Sequence, residues 1–221
     1  MRPKALVSFS SGKDSAYALE MVRRADELEV TGLLTTVTAA YARVSMHGVR
    51  LTLLQAQAEA LGLPCTQVSI PPACSNEIYE QAFLGALRVA RESGVSHVVF
   101  GDLFLEDIRA YREQQMRAAG LTPVFPLWGR DTAQLAAAML ESGIVATITC
   151  VDPRRLAPSF AGRTWNRALM GALPAGVDPC GENGEFHTFV SDGPGFRAPV
   201  ATRTGEIVER DGFVFADVLP A

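Results

Sequence analysis

The feature that most constrains this chain is a strand–helix alternation that begins at its N-terminus and continues to about residue 121. Residues 4–9 read as a buried strand. Ala18, Met21, Val22 and Ala25 then fall at i, i+3, i+4 and i+7 of a helix over about 14–25. β-Branched residues crowd 30–37, a helix is expected near 49–62 before Pro64, and 65–70 is again a strand. A helix over 75–93, a strand at 97–100 and a charged helix over 105–119 complete the series, with Gly94 and Gly120 as stops. Such alternation builds βαβ units and a parallel sheet covered by helices on both faces.

The pattern changes after the proline-containing stretch "TPVFPLWG" at 122–129. A helix near 132–142, an apolar strand at 144–151 and a Pro- and Gly-rich region follow. The tail is expected to form short antiparallel strands with turns at Gly205 and at Asp211-Gly212. The expected division is therefore 1–129 and 130–221, the second part a smaller α+β unit.

A net charge of −4 with no run of like charges argues against a broad nucleic-acid footprint, so DNA is not an expected partner. No apolar stretch approaches the ~20 residues of a membrane helix. Ala5-Leu6-Val7 is too short for a signal peptide, so a cytoplasmic location without membrane contact is expected. None of Cys65, Cys74, Cys150 and Cys180 is spaced as CxxC, and the chain has three histidines, His47, His97 and His187. A four-ligand zinc site is therefore disfavoured, and the cysteines are read as small core residues or reduced thiols.

The first strand runs straight into "SFSSGKDSAY" at 8–17. A loop between a buried strand and a helix N-terminus offers unpaired N–H groups and the positive end of the helix dipole to an anion. Gly12 permits close backbone approach, Lys13 adds a charge, and Ser10, Ser11 and Ser15 add hydroxyls. The loop is neither a Walker A motif nor a dinucleotide fingerprint, because neither glycine spacing is present. The bland alternative is that Ser11 or Asp14 caps the helix. Against it stands the scarcity of lysine: Lys4 and Lys13 are the only two in the chain. Asp14, in the first helical turn, suits the dipole and a Mg²⁺ ion carried by phosphates.

Two further motifs stand out. Gly101-Asp102 ends the strand at 97–100 and so belongs to the same carboxyl rim, where Asp102 could bind Mg²⁺ or a ribose hydroxyl, or simply make a turn. The next helix carries Glu106, Arg109 and Glu113 on one face, either as a solvated salt-bridged stripe or with Arg109 on a phosphate or carboxylate. The segment "DPCGENGEFHTF" at 178–189 places Asp178, Glu182, Glu185 and His187 around Gly181 and Gly184, as a tight loop near a ligand or as a glycine-rich hairpin. A nucleophilic Cys180/His187 pair is a weak further reading.

The S-x-G-x-D-S pattern resembles the PP-loop of the ATP pyrophosphatases, usually S-G-G-x-D-S. With Ser45-Met46-His47, "QAQAEALGLP", Gly101-Asp102, Arg109, Glu113, "PLW", "GENGEF" and Thr188, the chain resembles the diphthine–ammonia ligase family over nearly its whole length. The resemblance implies a Rossmann-like, HUP-type PP-loop domain and a smaller α+β domain. It implies ATP and Mg²⁺ as cofactors, a carboxylate acceptor (protein-borne diphthine or a small molecule), and ammonia. Catalytic roles would fall to Lys13, Asp14, Asp102 and Glu185, and metal binding to Asp14 and Asp102. ATP would be held by Ser10, Ser11, Gly12, Lys13, Asp14, Ser15, His47 and Gly101. The acceptor would be held by Arg109, Glu113, Glu182, Glu185 and Thr188.

The chain departs from the pattern at three places. Ser11 stands at a usual glycine, Asn183 at another, and the arginine often found two residues beyond Arg109 is offset, with Tyr111 in its place and Arg112 beside it. The reaction implied is adenylation of a carboxylate with loss of pyrophosphate, then attack by ammonia. Residue 2 is Arg2, so no cysteine follows Met1 as an N-terminal glutaminase would require; free ammonium or a partner protein is the expected donor. A homodimer is compatible with this reading. Competing readings are a tRNA-modifying PP-loop enzyme, a nucleotide-binding sensor, and an α-hydrolase without ligase activity.

Overall fold

The computed structural model describes residues 1–221. The first part of the chain forms the strands β1 (Lys4–Ser8), β2 (Glu29–Thr38), β3 (Arg43–Val44), β4 (Cys65–Ile70), β5 (Val95–Val99) and β6 (Thr122–Val124). Helices α1 (Lys13–Ala25), α2 (Leu51–Leu61), α3 (Asn76–Glu92) and α4 (Glu106–Ala119) alternate with them. Five strands pair in parallel in the order β4-β2-β1-β5-β6. The small β3 returns antiparallel onto Val37 and Thr38, at the end of β2 and beyond the last residue that pairs with β1.

The period-2 alternation of β1 sorts its side chains between two cores. Ala5, Val7 and Phe9 join α1 and α2 in one cluster, while Leu6 joins α3 and α4 in the other. Both sheet faces are thus covered, as a parallel sheet requires. The chain winds outward from β1 through β2 to β4 and then returns to β5 on the other side of β1. The crevice above the carboxyl ends of β1 and β5 is therefore a topological switch point, where α/β sheets hold ligands.

The second part forms α5 (Thr132–Glu141), β7 (Val145–Val151), β8 (Thr164–Trp165), α6 (Arg167–Ala172), β9 (Phe186–Asp192), β10 (Thr202–Arg210) and β11 (Phe213–Pro220). These strands make one antiparallel sheet around β7. Phe189 and Val190 of β9 and Val214 and Ala216 of β11 are buried in the same cluster as α1 and α2, so those two helices lie between the sheets. Asp217 of β11 closes the seam. It accepts from Arg43 Nη1 at 2.9 Å and from Arg50 Nε and Nη2 at 3.0 and 2.6 Å, and this fork holds its carboxyl below the ordinary range despite partial burial.

The Asp211-Gly212 turn forms as expected: both residues have positive φ, +52° and +77°, which joins β10 to β11 by the tight hairpin that matches strand twist. Gly205 is not a turn. It lies inside β10, where the register slips by one residue between Thr204 and Ile207. A Cβ there would sit 3.0 Å from Leu219 Cδ1 and 3.2 Å from the Asp217 carbonyl, so the glycine permits a bulge that brings β11 close.

Candidate active site

The loop between β1 and α1 is held by hydrogen bonds from β9 of the second sheet and from α2. The Ser11 carbonyl accepts from Val190 N at 2.9 Å and from Gln57 Nε2 at 3.1 Å. The Lys13 amide donates to Thr188 Oγ1 at 3.1 Å. Gly12 stands at the N-cap of α1 with no side-chain cap, so neither Ser11 nor Asp14 caps the helix. A Cβ on Gly12 would lie 2.8 Å from His47 Cε1 and 3.2 Å from the Thr188 carbonyl, which explains the glycine. The amides of Ser11 and Ser15 find no acceptor in the protein. Unpaired N–H groups at a helix N-terminus are the donors an anion uses.

Ser11 is the strained member. Its φ is +70°, its side chain is fully buried, and its Oγ has no hydrogen-bond partner. A left-handed backbone at a residue with a Cβ costs about 1 kcal/mol or more. Ser11→Gly is therefore expected to raise the thermal midpoint by about 2–4 °C. An unchanged or lowered midpoint in a calorimetric scan would contradict the strain.

Loop and rim face a cleft of about 800 Å³ that Ser10, Lys13, Asp14, Ser15, Gly101 and Asp102 all help to line. Lys13 is 1% exposed. Its Nζ bonds both carboxylate oxygens of Asp14, at 3.0 and 2.8 Å, and the Cys180 carbonyl, and it lies 5.5 Å from the ring centroids of Trp165 and Phe186. Burial opposes the ammonium charge, but Asp14 and the other negative groups nearby hold it above its ordinary value. Burial raises the carboxyls of both Asp14 and Asp102, and Arg112 partly offsets the rise at Asp102.

Glu182 spans the cleft and accepts from Leu103 N at 2.7 Å, tying the loop before β9 to the end of β5. Burial, with the charges of Asp14 and Asp102, pushes its carboxyl up to about 7 against the opposing pull of that N–H. Asp14, Asp102 and Glu182 thus form an acidic group that a cation would relieve. No three acidic, histidine or cysteine side chains converge into a ligand set by themselves. The carboxylates of Asp14 and Asp102 at the rim are of the kind Mg²⁺ takes, one or two at a time, with phosphates and water completing its shell.

His47 and His187 pack ring to ring at 4.6 Å, and His47 Nδ1 lies 3.0 Å from the Thr188 carbonyl, so that nitrogen carries the proton and donates. Burial lowers His47 to about 4. Burial, with the charges of His47 and Lys13, lowers His187 to about 3. The unfolded chain takes up both imidazole protons near pH 6.5, so between there and about pH 4 these two sites hold more protons unfolded than folded and make stability rise with pH. The raised carboxyls of Glu182, Asp14 and Asp102 act in the opposite direction over the same range. His187→Gln removes one imidazole, so its urea midpoint followed from pH 4 to 7 is expected to gain less, or lose more, with rising pH than wild type; parallel profiles would contradict this.

Not every predicted site residue reaches the cleft. Ser11 and Gly12 do not line it, and Ser11 instead anchors the loop through its carbonyl; Thr188 lines it while holding the Lys13 amide. Glu185 is 2% exposed and turned into its own loop, where Oε1 accepts from Asp178 N and Asn183 Nδ2, both at 3.1 Å. Arg109 pairs with Glu113 at 2.8 Å and lies over Phe125 and Trp128, at 5.0 and 4.7 Å, away from the lining. Cys180 Sγ points at the Thr132 carbonyl, 3.5 Å away, and burial pushes its thiol far up, so it is no nucleophile. Sequence reasoning passed over Tyr79, gave Arg112 and Tyr111 no role beyond the offset, and placed His187 only in the glycine-flanked loop and the weak Cys180 pair; all four line the cleft. The signal for Arg112 was present: Asp107, Ile108, Tyr111 and Arg112 all fall on one face of α4, and all four line the cleft.

Parallel strands with an anion loop at their switch point, roofed by an antiparallel sheet that holds the loop in place, define a two-part α/β protein with a composite cleft. The chain belongs to the diphthamide synthase family: the family's N-terminal domain matches residues 3–123 and its C-terminal domain residues 131–215. The resemblance to diphthine–ammonia ligases is thereby borne out. It is 27% identical to the diphthine–ammonia ligase of Rattus norvegicus and 26% identical to that of Homo sapiens, each over 99% of this chain and 89% of the relative. Among solved structures, a predicted subunit of tRNA methyltransferase from Methanocaldococcus jannaschii superposes with a TM-score of 0.45 at 14% identity. It covers 66% of this chain and 80% of its own, a partial likeness that adds nothing to the family match. No helix is long and apolar enough to cross a membrane.

Proposed function

We propose that this protein is an ATP-dependent, AMP-forming ligase that converts a carboxylate to an amide with ammonia. The single observation that carries the reading is the loop at the β1–α1 switch point. Its Ser15 amide is unpaired at the cleft, and it is flanked by Lys13 and by a carboxylate group suited to Mg²⁺. Family membership and the ligase names of the relatives support it.

In this reading residues 1–129 form the ATP-binding part and 130–221 the acceptor side. The substrate carboxylate oxygen attacks the α-phosphorus, the α–β bridging bond breaks, and pyrophosphate leaves. Ammonia then attacks the acyl carbon, and AMP departs with the former carboxylate oxygen. Lys13 and the unpaired Ser15 amide stabilise charge growing on the transferred and departing phosphates. Asp14 and Asp102 would hold Mg²⁺, which supplies charge neutralisation at the phosphates. Neutral His47 and His187 add no positive charge to compete with it.

The acceptor is diphthine on a translation elongation factor, or a smaller carboxylate with the same reacting group. The test is to incubate the protein with Mg-ATP and ammonium, adding in turn diphthine-bearing elongation factor and a panel of small carboxylates. AMP and pyrophosphate should appear in proportion to amide. ADP with phosphate would refute the reading, AMP without dependence on any acceptor would make the protein a hydrolase, and intact ATP would make it a sensor. Ammonium is the expected nitrogen source, so glutamine in its place should give no amide.

A further inference from the structure

We infer that Arg112, one position beyond where the family pattern often has an arginine, is a second phosphate anchor that takes the polyphosphate of ATP held at the loop. The inference rests on the reading of the cleft as an ATP site. Of the cationic side chains lining the cleft, Lys13 is buried and engaged by Asp14, the Cys180 carbonyl and two aromatic rings. Both histidines are held neutral. Arg112 remains, and no carboxylate lies within ion-pairing distance of it.

A guanidinium has five N–H donors. The protein uses one of these: Nη1 donates to Tyr79 Oη at 3.0 Å, while Nε is buried and has no partner. The Phe100 ring, 5.3 Å from the guanidinium carbon, and the Tyr79 bond hold the group in place. A half-buried, oriented guanidinium whose nearest acidic group, Asp102, acts on it only through space keeps donors free for an anionic ligand.

The charge balance of the cleft identifies that ligand. Asp14, Asp102 and Glu182 already make it acidic, so a polyphosphate entering it needs more positive charge than the buried Lys13 presents. Asp102 is adjacent to Gly101, whose Cα packs directly on the backbone of Asp14 and Ser15, and Arg112 lies within the electrostatic reach of Asp102. The anion loop and Arg112 therefore both stand near Asp102 in one cleft, so a phosphate chain held at the loop has the guanidinium within its surroundings. Positions 111 and 112 both lie on the cleft face of α4, and Arg112 brings a guanidinium to it, while Arg109 stays on the face packed against Phe125 and Trp128.

The experiment is calorimetric titration of wild type, Arg112→Met and Arg112→Lys with Mg-α,β-methylene-ATP and, separately, with AMP. Arg112→Met is expected to weaken the triphosphate analogue about tenfold or more and to change AMP by less than about twofold. Arg112→Lys should recover part of the loss, because charge returns without the planar fork. Circular dichroism establishes that each variant is folded, and the lysine variant keeps the test open if the methionine variant is not. Equal loss for both ligands would mark a structural role and overturn the inference. Unchanged analogue affinity would overturn it as well, and a raised acceptor KM beside it would reassign Arg112 to the acceptor. Wild type that binds neither nucleotide would instead bring down the ATP reading itself.

Discussion

Lys13→Met is expected to reduce AMP formation about a thousandfold while leaving the backbone fold in place. The methionine keeps the apolar stem that fills the space against Trp165 and Phe186, and it removes the ammonium alone. The removal has a second consequence, because Asp14 then loses the partner that offsets its burial. Breaking one side of a buried ion pair costs several kcal/mol. Here Asp14 keeps 27% of its side-chain surface, so the loss lies at the low end, about 3 kcal/mol. The double variant Lys13→Met/Asp14→Asn separates the two effects. Its urea midpoint should recover toward wild type because no unpaired charge remains, while AMP formation stays absent. Recovery of activity along with stability would mean that Lys13 acts only as a structural counter-ion.

Gly101→Ala carries the second large effect. A Cβ at this position would lie 2.9 Å from Asp14 C, 3.0 Å from Ser15 N and 3.1 Å from Asp14 O. All three are backbone atoms of the first turn of α1, so no side-chain rotation relieves the clash. The end of β5 must move away from the N-terminus of α1, and the crevice between β1 and β5 must open or tilt. A stability loss of about 1–3 kcal/mol is expected from overpacking of this kind. Affinity for α,β-methylene-ATP should fall about tenfold or more, since the unpaired Ser15 amide is displaced directly. Titration calorimetry with a parallel urea melt checks both. A variant that binds as wild type does would show that this contact does not set the site.

Much of the fold was legible in local pattern. Strand and helix periods through residue 121 predicted the parallel sheet, and the Asp211-Gly212 pair marked its hairpin. Gly205 misled because a glycine in a strand pattern signals either a turn or a bulge, and the choice depends on how closely β11 approaches. In the cleft, the loop residues and Gly101-Asp102 could be picked out because their chemistry follows from strand–loop–helix order. Arg109 was chosen over Arg112 on family spacing, yet three residues along a helix still leave two side chains free to meet different neighbours. Phe125 and Trp128 take Arg109, whereas Tyr79 and Phe100 hold Arg112 at the cleft. Glu185 looked like a ligand contact from the glycines around it, but the turn that they permit folds its carboxylate back onto Asp178 N.

By itself, the order of residues determined where an anion could sit, because a helix N-terminus after a buried strand presents donors wherever the chain goes next. It also determined the sheet, because crossover helices oblige neighbouring strands to run parallel. Only the tertiary structure decided how that loop is held. Ser11 keeps a left-handed backbone because Val190 and Gln57 bind its carbonyl, and Lys13 is sealed because the turn at Cys180 closes over it. All three contacts join residues more than forty positions apart, and over such distances in sequence only packing, not local propensity, can select one conformation.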